Sequence, residues 1–185
     1  MVLFEQQGFD QTTATQIAQR AGVTERTFFR QFKDKREVLF GGSAVLGERL
    51  VAAVLDAPTH DPPLTAVARG LASAVEMLGA SRKDLVRRRR AVIEANPELS
   101  ERDRSKLADY ASAISAALES RGVSQLSASL AAETGATVLR VALAQWTADG
   151  EDRDLATIVR DAMAELRAVT TADLTGAFDP RPSGD

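Results

Sequence analysis

Apolar residues recur three and four positions apart along almost the whole 185-residue chain, and clusters of β-branched residues are few. That period lays an apolar stripe along each helix and leaves no segment with the alternation of a half-buried strand, so the fold class is all-α. Turn-forming residues interrupt the pattern at 8–12, 21–24, 32–34, 56–63, 79–81, 95–99, 121–125 and 148–153. These breaks delimit about nine helices, the first four short and the later ones roughly twelve to twenty residues long. The pattern implies an N-terminal three-helix module over 1–45, joined through a long helix over 35–55 to a larger helical bundle over 46–175. The tail 176–185 has two prolines, two glycines and no periodicity, and is expected to be disordered.

Composition excludes several kinds of chemistry. With no cysteine there is no disulfide, and the single histidine, His60, leaves the usual zinc ligand sets incomplete. No nucleophile–base set or glycine-rich phosphate loop is present, so neither an enzyme nor a cofactor is expected. No run approaches eighteen apolar residues and no basic-then-apolar leader opens the chain, so a cytoplasmic protein that spans no membrane is expected. The net charge of −3 is unevenly spread, since 20–36 holds six bases against Glu25 and Asp34. A basic face on an otherwise acidic protein can attract phosphate locally.

The stretch TTATQIAQRAGVTERTFFRQF (12–32) reads as two short helices around a tight turn. Thr13 or Thr15 can cap the first helix, Gly22 ends it, Val23 is expected to plug the corner and Thr24 caps the second helix. Ala18 is small where two such helices must cross. With Phe28 facing inward and about 100° per residue, Phe32 lies beside it, Arg26, Thr27 and Arg30 point away, and Phe29 and Gln31 flank the two faces. Guanidiniums, a hydroxyl, an amide and an apolar ring on one side offer what a DNA major groove can bind. Lys33 and Lys35 adjoin the next helix start, whose dipole reinforces phosphate attraction.

Residues 8–40, GFDQTTATQIAQRAGVTERTFFRQFKDKREVLF, resemble the DNA-binding domain of TetR-family transcriptional regulators. The likeness lies in the GF, TT, IA and AGV start, the T.F..F..K..L continuation and their spacing. It implies a bacterial homodimer that binds a palindromic double-stranded operator and is released by a small-molecule effector. Carried onto this chain, it places phosphate contacts at Thr13, Phe29 and Lys35, and base reading at Glu25, Arg26, Thr27, Arg30 and Gln31. Phe29 stands where the family most often has tyrosine, so a phenolic hydrogen bond to phosphate is missing. The chain opens about halfway along the family's first helix, which is read as a misassigned start. The other reading is an all-α protein-interaction module with a non-functional helix-turn-helix.

Residues 87–99, RRRRAVIEANPEL, with the alanine-rich helix that follows and the late Trp146, resemble a subgroup associated with acyl-CoA-type ligands. If Leu85, Val86, Val92 and Ile93 form the buried stripe, Arg89 lies at its centre with Arg82 close by, and Arg90 can pair with Glu94. A guanidinium on an apolar face needs a partner. Arg89 therefore either binds an effector's polar group or pairs with an internal carboxylate, and both readings stay open; Arg87, Arg88 and Arg90 are read as solvated. Met77, Leu78, Tyr110, Ile114 and Trp146 are the large side chains expected to line a small-molecule cavity. The helix over about 126–147 is apolar nearly all round, and with a neighbour over 153–170 it can form an isologous dimer interface.

Overall fold

The computed structural model describes residues 1–170, and all its regular structure is helical. The tail expected at 176–185 lies outside the described residues. Ten α-helices run α1 (Val2–Gln11), α2 (Ala14–Arg20), α3 (Glu25–Gln31), α4 (Glu37–Phe40), α5 (Ser43–Leu55), α6 (Pro63–Leu78), α7 (Lys83–Glu94), α8 (Pro97–Ser120), α9 (Gln125–Trp146) and α10 (Leu155–Thr170). Their starts follow local chemistry. Proline opens α6 and α8, where its missing N–H costs nothing. Ser124 caps α9, and Asp154 accepts the Thr157 N–H at 2.7 Å ahead of α10.

The expected single helix over 35–55 is broken. Gly41 and Gly42 form a turn between α4 and α5, because two adjacent glycines are poor helix formers, and the Ser43 hydroxyl caps the Phe40 carbonyl there. Taken together as one 19-residue segment, Glu37–Leu55 has the length and mean hydropathy (1.7) of a membrane-crossing helix, by length and composition only. Here α5 instead packs against α6 and α8, burying Leu50 and Val54. The first break also differs, since Gly8 (φ 80°) kinks α1 and helical bonding resumes to Gln11.

Two apolar cores result. The larger joins α5, α6, α8, α9 and α10 around Leu50, Leu71, Ile114, Leu118, Leu139 and Trp146. The smaller gathers Phe4 and Phe9 of α1, Leu39 and Phe40 of α4, Val92 and Ile93 of α7, and Leu99 of α8. The N-terminal helices therefore share a core with the ends of α7 and α8. On α9, Ala128, Ala132, Gly135 and Ala136 face inward, while Leu126 (73%), Leu130 (62%) and Val141 (43%) are exposed. On α10, Leu155, Ile158 and Val159 are buried against the core.

Candidate nucleic-acid interface and ligand cavity

The turn between α2 and α3 is four residues long. Gly22 takes φ 69°, a region costly for residues with a Cβ, and the Val23 N–H returns to the Ala18 carbonyl at 3.0 Å. Ala18 and Phe28 are buried, and Phe32 packs on Phe28 at 5.3 Å between ring centroids. Val23 does not plug this corner, being 40% exposed, because its backbone rather than its side chain closes the turn.

Both caps are side-chain caps. Thr13 accepts from the Gln16 N–H at 3.2 Å, and Gln16 accepts from the Thr13 N–H at 2.9 Å, a reciprocal capping box. Thr24 accepts from the Thr27 N–H at 3.1 Å, and the two hydroxyls are 2.9 Å apart. Sequence reasoning passed over Gln7, Thr12 and Gln16. Gln7 donates to both Gln16 and Thr12, and the wholly buried Thr12 donates to the Gly8 carbonyl, tying α1 to the start of α2. The threonine-x-x-glutamine spacing of Thr13 and Gln16 was the signal that marked this box.

The outer side of α3 is bare. Glu25, Arg26, Arg30, Gln31 and Lys33 are all exposed, and none makes a side-chain hydrogen bond or ion pair among the described residues. Phe29 is 49% exposed, its ring edge-on to Phe28 at 5.3 Å. Lys35 departs from the expectation of a free phosphate contact. Its ammonium donates to the Phe9 and Asp10 carbonyls at 2.8 and 3.0 Å and lies 4.4 Å from the Phe9 ring centroid. The carbonyls left open at the end of α1 are the nearest acceptors, so Lys35 closes that helix end.

The joint between this module and the bundle is built on arginines. Arg88 of α7 grips Glu5 of α1 with two bonds of 2.5 and 2.6 Å. Arg89 donates to the Leu39 carbonyl of α4 at 2.6 Å and to Asp103 of α8 at 2.9 Å. Arg102 of α8 pairs with Glu37 of α4. The guanidiniums of Arg89 and Arg102 lie 5.0 and 5.5 Å from the ring centroid of the buried Phe40. Of the two readings for Arg89, the internal carboxylate is the observed one. Arg90 pairs with Glu94 as expected, but Arg88 is a cross-module clamp rather than a solvated charge.

Residues 1–40 match the family described as bacterial regulatory proteins, tetR family. The N-terminal module is thus similar to the DNA-binding module of that family. Over 65 residues it is 40% identical to the HTH-type transcriptional regulator TcmR of Streptomyces glaucescens, a match that covers 35% of this chain. The match spans 29% of that relative's length. The crystal structure of Thermus thermophilus FadR, a TetR-family transcriptional repressor in complex with lauroyl-CoA, aligns with a TM-score of 0.55 at 25% identity. That alignment covers all of this chain and 95% of FadR. The TetR-family regulator PfmR, also from Thermus thermophilus, shares the fold, with a TM-score of 0.50 at 22% identity over 90% of this chain and 93% of PfmR. These TetR-family relatives are regulators and not enzymes.

The bundle holds a cavity of about 480 Å3 between α4, α5, α6, α7, α8 and α9. Its apolar wall includes Met77, Leu78, Val86, Leu107, Tyr110 and Leu143, and it opens to solvent beside Leu85, which is 50% exposed instead of buried in the α7 stripe. Arg89 reaches this wall from the joint. Ile114 and Trp146, expected at the wall, do not line it. At 1% and 2% exposure they are consumed by the larger core. The Tyr110 hydroxyl donates to the Ser43 carbonyl at 2.8 Å, and burial pushes its pKa up.

Proposed function

We propose that the chain is a ligand-responsive transcriptional regulator, a homodimeric repressor released from a palindromic operator by a hydrophobic or acyl-type effector. The observation that carries this reading is the unpaired basic outer side of α3, mounted on a buried Ala18–Phe28 crossing. Arg26 and Arg30 are free to read guanine edges or grip phosphate, with Glu25 and Gln31 beside them. Thr13 and Thr24 present the N–H ends of α2 and α3 to the backbone, and Lys33 adds a phosphate contact. Phe29 supplies an apolar contact, and Lys35 supports the module from within. The threonine hydroxyls at 24 and 27 are shared in the cap, which leaves the arginines as the principal readers.

Dimerisation fits the exposed Leu126, Leu130 and Val141 of α9, since a solvent-facing apolar stripe gains from a second copy. A two-fold axis there would set two α3 helices one DNA turn apart, about 34–36 Å. The cavity adjoins the joint through Arg89, so an effector that favours a different α7 position would act on Leu39 and α4. The FadR neighbour's acyl-CoA supports an effector of that kind. Such a repressor works in the cytoplasm, where its operator is. The test is Arg26→Ala with Arg30→Ala in a salt-matched gel shift. Operator binding should vanish while the dimer persists by sedimentation; unchanged affinity would leave the protein-interaction reading in its place.

A further inference from the structure

The cavity wall combines apolar side chains with a surplus of positive ones. Arg82, Arg89, Arg90, Lys106 and Arg140 line it, against one carboxylate, Asp103. This surplus sits in a chain whose net charge is −3. The five cations are not equivalent. Arg89 is held by Asp103 and the Leu39 carbonyl, Arg90 by Glu94, and Lys106 lies 3.3 Å from Asp109. Arg82, just ahead of α7, and Arg140, on α9, have neither an ion pair nor a side-chain hydrogen bond among the described residues.

Resting on the reading of this cavity as the effector site, we infer that the effector is an amphiphilic anion whose charged head is bound by Arg82 and Arg140. Its apolar chain lies along Met77, Leu78, Leu107 and Leu143. An apolar pocket of this size takes a small-molecule ligand, and a few convergent polar groups fix its orientation. A neutral chain would leave both guanidiniums without a partner and gain nothing from them. An anionic head gives each a charge-assisted hydrogen bond. Arg89 cannot serve as the head's main seat without breaking its bonds to Asp103 and α4, so it is the positioning residue that senses occupancy while the two free arginines select the ligand. A carboxylate and a phosphorylated carrier share this head chemistry.

Purified protein, without DNA, is titrated with dodecanoate, dodecanoyl-CoA and dodecanol by calorimetry. Both anions should bind, and dodecanol should bind about tenfold or more weakly, a preference that shrinks as salt rises. Arg82→Gln with Arg140→Gln should bring the anions down to the level of dodecanol without lowering the ligand-free Tm, since neither side chain has an internal partner to lose. Tighter binding of dodecanoyl-CoA than of dodecanoate assigns the head to phosphate, and the reverse assigns it to carboxylate. Equal binding of dodecanol overturns the inference. So does anion preference that survives in the double variant, or the failure of all three probes to bind. Operator release is measured separately by gel shift with each probe. Release by dodecanol would preserve the regulator reading while the anion seat falls.

Discussion

Arginines on α3 and arginines at the joint are the same side chain in opposite circumstances. Arg26 and Arg30 stand exposed without a partner, whereas Arg88, Arg89 and Arg102 each hold a carboxylate of another helix. Exposure decides the difference. A solvated guanidinium costs little to leave free, and an internal carboxylate beside it would compete with phosphate. A half-buried guanidinium next to Phe40 loses its water and must be paired. The outer set has no partner among the described residues, and the inner set holds two modules of this one together.

The sharpest way to break that contrast is to remove each set in turn. Loss of Arg26 and Arg30 should lower operator affinity by about a hundredfold or more and flatten its salt dependence, with urea stability unchanged. Arg89→Met should do the reverse. It strands Asp103 and the Leu39 carbonyl and should destabilise the fold by about 1–3 kcal/mol in urea unfolding. Operator affinity should fall far less than in the α3 variant, while the response to any effector weakens. A hundredfold loss of DNA binding in folded Arg89→Met would erase the distinction between the sets.

How much of this could be read from the chain depended on the range of the interaction. Thr24 as a cap, Gly22 as the turn and Phe28 as the inward ring follow from neighbours within a few residues, and the structure has them so. The Arg90–Glu94 pair is likewise one helical turn long. Arg88 and Glu5 are 83 positions apart, and no local period announces such a partner. The same limit explains Lys35, whose acceptors lie at the far end of α1, and Trp146, whose burial depends on how the helices of the larger core assemble. The helix-turn-helix and the all-α fold rest on short-range patterns, whereas the cavity wall draws on six helices and has no signature in any one of them.

A smaller effect distinguishes reading from gripping within the α3 set itself. Phe29 is half exposed beside two free arginines, and its ring can offer DNA only an apolar contact. Phe29→Tyr adds a hydroxyl at the rim of the outer α3 surface without disturbing the Phe28 packing. One new hydrogen bond to phosphate should tighten operator binding about threefold to tenfold, equally for matched and mismatched sites. A gain confined to one operator sequence would mean that position 29 faces bases rather than the backbone.

The smallest effect separates the clamps at the joint from one another by pH. The Arg88 guanidinium, through its paired hydrogen bonds, holds the Glu5 carboxyl below its ordinary value of 4.5. A carboxylate whose folded pKa is depressed contributes stability that is fully present above the unfolded value and is lost as pH falls through the folded one. The wild type should therefore exceed Glu5→Gln in Tm by a constant small margin from neutral pH down to about 4.5, and the margin should close below that. Because the pair is partly exposed, added salt should shrink the margin at every pH. A margin that closed well above pH 4.5 would assign the titration to another group. A margin that stayed open at the acid end would mean that Glu5 acts by packing on α7, with the α1–α7 clamp owing nothing to charge.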